Sequence, residues 1–267
     1  MFDLSALEAD LADTVFAGKL HFVRVTGSTN SDAIAAARGD AQRGGAPHGS
    51  VYFADEQLDG RGRGDHGWIS FAGEGLYVSV LLRPQIPASR LALLPLAAGL
   101  AAAEAIHTVS GLDVDLRWPN DLLIGPRKAG GILIEASLES KGLPHAVVIG
   151  IGINVHQHSF PPGLATPATS LDLEAGWAIS RQTILVVLLK SLEREASALA
   201  DATAAKEIPA RVEKASTWIR GRNVQVHGPQ SCEGVTAGLD ENGFLRVVTA
   251  SGLVTVQTGG LRTAENL

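Results

Sequence analysis

Apolar residues recur at helical spacing through Leu4, Leu7, Leu11 and Val15, which predicts one amphipathic helix from Leu4 to about Phe16. His21–Val25 reads as a strand, the Ala-rich run Ser31–Arg38 as a helix, and Val51–Ala54 and Leu76–Leu82 as further strands. Ala88–Val109 is rich in Ala and Leu with few breaks, the pattern of a long buried helix. Between Leu112 and Ile124 two short apolar runs flank Arg117-Trp118-Pro119-Asn120-Asp121, where proline forbids a central ladder position. That corner is expected to expose an amide and a carboxylate at its tip. Val147–Val155 is almost continuously apolar and predicts a strand buried on both faces. Helices are expected over Ile179–Leu199 and Ala204–Ala215.

From Gly221 the pattern changes. Val224, Val226, Leu245, Val247, Val254 and Val256 fall in short alternating segments, with turns at Glu241-Asn242-Gly243 and Ala250-Ser251-Gly252. A small β-barrel is expected there. The boundary falls near Thr217, giving units of 1–216 and 217–267. The whole reads as α+β, a mixed β-sheet flanked by helices with a small C-terminal β module.

The bulk properties narrow the function classes. A hydrophobic content of 45% is ample for a core, and a net charge of −6 argues against a general nucleic-acid binder. No apolar run reaches the ~20 residues of a membrane span, and the acidic start Met1-Phe2-Asp3-Leu4 lacks the form of a signal peptide. The expectation is a cytoplasmic protein without membrane partners. One cysteine, Cys232, excludes an internal disulfide and a Cys-based metal cluster.

The chemistry concentrates in Gln57-Leu58-Asp59-Gly60-Arg61-Gly62-Arg63-Gly64-Asp65-His66-Gly67-Trp68, between two strand-like runs. Glycine lets the backbone approach a ligand closely, and arginine offers a permanent planar fork for phosphate or carboxylate. A mobile loop carrying both reads as a lid over an anion. Gly62–Gly67 formally matches G-x-G-x-x-G, but Trp68-Ile69-Ser70 follows where a dinucleotide site needs a helix, so that match is rejected. Ser28-Thr29-Asn30 before a helix supplies N-caps and also groups able to hold a small polar head. Lys128 precedes Gly130-Gly131, which puts an ammonium beside approachable backbone. Gly150 and Gly152 mark close approach within the apolar strand, and Asn154 at its end needs a partner if buried. His156-Gln157-His158 lies in a Pro-rich loop with no further ligand nearby, so a structural role is expected there rather than a metal site.

The ordered motifs Gly-Ser-Thr-Asn, Glu-Gln-x-x-Gly-Arg-Gly-Arg, Arg-Trp-Pro-Asn-Asp, Lys-x-Gly-Gly-Ile-Leu-x-Glu and Gly-Ile-Gly-Ile-Asn resemble those of the biotin protein ligases, over nearly the whole chain. The resemblance implies a class II synthetase-like core with an SH3-like C-terminal barrel. It implies activation of biotin by ATP, with Mg²⁺, to biotinyl-AMP, and transfer to a lysine of a biotin carboxyl carrier protein. It places Ser28, Thr29, Asn30 and Gln57 on the polar head of biotin, with the backbone near Gly131 and Gly150. Gly60, Arg61, Gly62 and Arg63 would close over biotin and adenylate, and Lys128 would touch carboxylate and α-phosphate. Arg61, Arg63 and Lys128 are the implied catalytic groups. Trp68, Asn120, Asp121 and Asn154 would lie on the nucleotide side, with Asp121 or Asn154 near Mg²⁺. No covalent enzyme intermediate is implied.

Two departures stand out. Bacterial members commonly carry a third arginine where this chain has His66, with Asp65 adding a negative charge beside it. A DNA-binding N-terminus, present in some members, is missing before the first strand, so no DNA partner is expected. The sequence leaves a homodimer open. The rival readings are a lipoate or octanoate ligase of the same fold, which lacks Gly-Arg-Gly-Arg with Trp-Pro-Asn-Asp, and a non-catalytic biotin-binding scaffold.

Overall fold

The computed structural model describes residues 2–38, 45–64, 66–138 and 144–264. Asp65, set beside His66 in the sequence, lies outside them. In chain order the elements are α1 (Leu4–Asp10), β1 (Leu20–Thr26), α2 (Thr29–Arg38), β2 (Ser50–Gln57), β3 (Gly75–Leu82), a 3₁₀ turn (Ala88–Leu93) continuous with α3 (Leu94–Ser110), β4 (Asp115–Arg117), β5 (Asp121–Ile124), β6 (Arg127–Leu138) and β7 (Pro144–Asn154). There follow α4 (Leu171–Ala175), α5 (Arg181–Ala198), α6 (Ala202–Lys214), β8 (Arg220–His227), β9 (Cys232–Leu239), β10 (Leu245–Thr249), β11 (Gly252–Val256) and β12 (Gly260–Thr263).

Seven strands make one sheet in the order β1-β2-β3-β7-β6-β5-β4. β1 and β2 run parallel, joined through α2, and the other neighbours are antiparallel, so the sheet is mixed. Period-two alternation explains how β7 can be apolar throughout and still build a cleft. Val147, Ile149, Ile151 and Ile153 enter the core cluster that includes the apolar sides of α3 and α5. Gly150 and Gly152 alternate with them. Beside them across the ladders lie Ser79 and Tyr77 of β3, and Gly131 of β6. α2 packs on that second face through Ala33 and Ala37 against Leu81, Ala146 and Val148. It leaves the glycine floor uncovered further along the strands.

One expectation is corrected. The first helix ends at Asp10, and residues to Ala17 turn instead, with Thr14 Oγ1 donating to the Leu11 carbonyl at 2.7 Å. The turns let Phe16 join Leu7 and Leu11 in the core, which a straight helix would not. The continuous helix Ser89–Ser110 is by length and composition apolar enough to cross a membrane, and 61% of its most apolar 18-residue stretch is buried inside the protein. Its apolarity is accounted for by packing under the sheet against α5 and α6.

The second sheet has five antiparallel strands in the order β11-β10-β9-β8-β12. Its inward residues Val224, Val226, Leu245, Val247, Val256 and Leu261 belong to the same apolar cluster as the large sheet. The indole N–H of Trp118 reaches across to donate to the Gly243 carbonyl at 3.0 Å. A small C-terminal β module is thus present, packed tightly against the α+β body.

Candidate active site

Ser28, Thr29 and Asn30 are buried where β1 turns into α2. The first-turn N–H of Thr29 is held by Gln57 Oε1 of β2 at 2.9 Å, so this donor is satisfied from a neighbouring strand. The Thr29 hydroxyl lies 3.1 Å from Gln57 Oε1 and 2.8 Å from Ser79 Oγ. Ser79 donates to Asn30 Oδ1 at 2.6 Å, and Asn30 Nδ2 donates to Glu135 Oε2 at 2.9 Å. Gln57 Nε2 donates to Ser70 Oγ at 2.8 Å. A side chain at Gly150 would collide with the Asn30 carboxamide, so the glycine is what lets this amide lie flat on the floor. Ser79 and Glu135 are participants that the sequence reading did not assign. Their signals were a lone hydroxyl within an apolar strand, and a carboxylate already inside the Lys-x-Gly-Gly-Ile-Leu-x-Glu motif.

A different chemistry occupies the β5–β6 side. Lys128 Nζ sits 2.5 Å from Asp121 Oδ1. Arg117 grips the other carboxylate oxygen through Nη2 at 2.6 Å and Nε at 3.0 Å. Burial opposes ionisation of Asp121, but the Lys128 ammonium and Arg117 guanidinium outweigh it and hold the carboxyl below the usual range. Asn120 Nδ2 donates to the Ile132 carbonyl at 2.8 Å. The Trp-Pro-Asn-Asp corner is therefore bonded inward, not exposed at its tip as its turn chemistry suggested.

The arginine-glycine loop lies between these regions. Gly62 N–H bonds the His66 carbonyl at 2.7 Å, and Trp68 N–H bonds the Gly60 carbonyl at 2.6 Å. The Trp68 indole lies against Gly152, its Nε1 2.6 Å from where a Cβ would be, and Lys128 Nζ is 5.5 Å from the ring centroid. Arg61 pairs with Glu135 at 2.5 Å and donates to Ser31 Oγ at 3.2 Å. Arg63 donates to the Gly259 carbonyl at 2.8 Å, Thr258 Oγ1 at 3.2 Å and Asn120 Oδ1 at 3.3 Å, and burial lowers its pKa below the ordinary value. The loop read as a mobile lid is thus tethered at both arginines, once to β6 and once to the second sheet.

Every expected site residue except Gly60 lines one cleft of about 660 Å³. Gly60 instead packs beneath the loop, where a Cβ would strike the Trp68 carbonyl. The second sheet adds His227, Thr258, Gly259 and Arg262 to the lining, which no local pattern indicated. Asn154 Nδ2 donates to the Thr169 carbonyl at 3.0 Å, which answers its need for a partner. Asp121 does not fit a metal: both its oxygens are taken by cations. Among the described residues no group of three His, Cys, Asp or Glu side chains could hold an ion. His156 bonds Asp172 at 2.8 Å, the structural role expected of it.

Fold and cleft together define an α+β protein with a pocket, on the face of a mixed sheet, that is neutral and hydrogen-bonding at one end and cationic at the other. Residues 22–154 match the model of the biotin/lipoate A/B protein ligase family. The chain is 33% identical over 247 residues to the biotin–[acetyl-CoA-carboxylase] ligase of Mycobacterium tuberculosis, covering 90% of this chain and 87% of that one. It is 40% identical over 151 residues to the bifunctional ligase/repressor BirA of Bacillus spizizenii, covering 56% of this chain but 46% of that relative, about half its length. The biotin protein ligase from Aquifex aeolicus, solved in complex with biotin and ATP, superposes with a TM-score of 0.77 at 28% identity, covering 92% of this chain and 100% of that one. The chain belongs to the biotin/lipoate A/B protein ligase family.

Proposed function

We propose that this protein is an ATP-dependent biotin–[biotin carboxyl carrier protein] ligase. Biotin's carboxylate attacks the α-phosphorus of ATP, giving biotinyl-5′-AMP and pyrophosphate. The ε-amine of a carrier lysine then attacks the acyl carbon and AMP departs. The observation that carries this reading is the shared cleft, in which Lys128, Arg61 and Arg63 face the same space as the Thr29–Asn30–Gln57–Ser79 network. Two anions must meet in the first step, and fixed cations in a partly desolvated site offset their repulsion and the charge shifted onto the leaving pyrophosphate.

Residue roles follow from placement. Hydroxyls and carboxamides around Asn30 suit a cyclic urea, which donates and accepts hydrogen bonds. Lipoate and octanoate lack such a head and would bury these groups against apolar carbon at a cost. Asp121 orients Lys128 and is not a metal ligand, so magnesium would enter with the triphosphate. Trp68 and the bonded loop exclude water from a hydrolysable mixed anhydride. Asn120 and Asn154 serve the nucleotide side. We further propose that 1–216 forms the catalytic unit with a class II synthetase-like core, and that 217–267 is an SH3-like barrel whose Thr258–Gly259 turn seats Arg63.

The test is mass spectrometry of an apo carrier domain incubated with the protein, biotin and Mg-ATP. A mass gain of one biotin that requires ATP is expected. No gain, or a gain with lipoate or octanoate in place of biotin, would reject the reading.

A further inference from the structure

Arg117 closes β4 and Asp121 opens β5, and the two face each other across the ladder between these strands. The arginine is buried, and three neighbours hold its guanidinium. Nε and Nη2 donate to Asp121 Oδ2 at 3.0 and 2.6 Å, Nη2 also donates to Thr166 Oγ1 at 2.8 Å, and Cζ lies 5.1 Å from the centroid of the Trp218 ring. Lys128 takes the other oxygen of Asp121 at 2.5 Å. Its main chain donates to the Pro167 carbonyl at 2.7 Å and accepts from Thr169 N–H at 3.0 Å. Both cations on Asp121 are thus tied to the same short segment, 166–169.

Charge decides what this cluster can do. Burial opposes ionisation of Asp121, but Lys128 and Arg117 hold its carboxyl below the usual range, so it carries a full negative charge at neutral pH. One carboxylate therefore meets two cations. Lys128 with Asp121 alone would be a neutral pair, offering a phosphate no net attraction. Arginine stays charged at physiological pH, so a second cation on the same carboxylate leaves one positive charge over. Arg117, Asp121 and Lys128 all line the cleft, and solvent reaches the lysine.

We infer that Arg117 is a positioning residue for the reaction: by holding and offsetting Asp121, it leaves the Lys128 ammonium oriented yet available to the triphosphate of ATP. It acts through Asp121 and not by touching the nucleotide. The inference rests on the proposed use of ATP.

Inorganic pyrophosphate, without metal, is titrated by calorimetry into the full chain, its Arg117→Met and Arg117→Lys variants, and the double variant Arg117→Met, Asp121→Asn. Biotin binding and pyrophosphate release from Mg-ATP are followed alongside. Arg117→Met should weaken pyrophosphate binding roughly tenfold and lower kcat, while biotin affinity holds. Arg117→Lys keeps the charge and should stay within about threefold of the wild type. The double variant removes the carboxylate together with its counter-charge and should also return to within about threefold. A merely structural arginine would weaken biotin and pyrophosphate together, and one that touches the anion would leave the double variant as weak as Arg117→Met. Either result overturns the inference, as does wild-type binding by Arg117→Met, failure of Arg117→Lys, or no pyrophosphate binding by the wild type. Should Arg117→Met not fold, the double variant, which strands no buried charge, decides the matter by the same threshold. Absence of pyrophosphate release by the wild type with any acid would reject the proposed activity, whereas the order of pyrophosphate affinities reports on Arg117 independently.

Discussion

Around Asn30 the side chains are mostly uncharged, buried and bonded to one another, so Thr29, Gln57, Ser79 and Asn30 hold fixed orientations before any ligand arrives. Around Lys128 the groups are ionic, with Asp121 and Arg117 beside it, and solvent reaches the Lys128 side chain, which keeps 28% exposure. Two residues that line the cleft, Trp68 and Gln157, also carry buried polar atoms, Nε1 and Oε1, without a hydrogen-bond partner among the described residues. The first region is a finished hydrogen-bond network that can recognise a shape by small adjustments. The second is a pair of cations, Lys128 and Arg117, balanced by Asp121, for which an incoming anion can compete, while Arg61 is balanced by Glu135 beside Asn30. Recognition is preorganised where the ligand is neutral, and charge is held in reserve where the reaction moves charge.

Substitutions that exchange the character of the two ends should separate these roles. The largest effect is expected from Lys128→Ala, which should slow biotinyl-AMP formation roughly 100- to 1,000-fold in single-turnover pyrophosphate release while biotin binding is retained. Lys128→Arg should restore little of it, because the larger planar guanidinium cannot put its charge where the compact ammonium sits. Next, Gly150→Ala drives a methyl group into the Asn30 carboxamide and breaks its bonds to Ser79 and Glu135. Biotin binding measured by calorimetry should weaken roughly 10- to 100-fold, with ATP binding little altered. Equal loss at both ends would mean that the network and the cations are one unit.

Arg61→Ala should act more modestly, lowering the burst of adenylate or its retention roughly tenfold without unfolding the protein. An unaltered burst with full retention would remove Arg61 from the reaction. For Asp121, the pKa held below its ordinary value means that the carboxylate stabilises the fold fully above about pH 4. That contribution fades as pH falls through the lower folded value. The Tm gap between wild type and Asp121→Asn should be constant from neutral pH to about pH 5 and shrink only in stronger acid. A gap that closes near pH 6 would contradict the ion-pair account. The smallest effect belongs to Thr258→Val, which deletes one of Arg63's bonds and should raise adenylate leakage about two- to threefold.

Much of the molecule was legible because its determinants are local. Apolar periodicity gave the strands and most helices, and the change of pattern near Gly221 marked the second sheet. Glycines before and within β6 and β7 signalled close approach from composition alone. The motifs carry the family because each holds its chemistry within a few adjacent residues. The end of α1 was misread because helical spacing can continue past the point where the chain must turn to bury Phe16.

What tertiary structure alone decided is who meets whom across long separations. Arg63 and Gly259 are 196 residues apart and Asn30 and Glu135 are 105 apart, and no property of either partner announces the other. The family resemblance implied Asp121 or Asn154 near Mg²⁺, since motifs carry residue types and not their neighbours in space. Folding places Lys128 and Arg117 on the two oxygens of Asp121 and converts it into a counter-ion. Side-chain type is written in the chain, whereas the state of a charge or an amide depends on the partners that packing brings within about 3 Å.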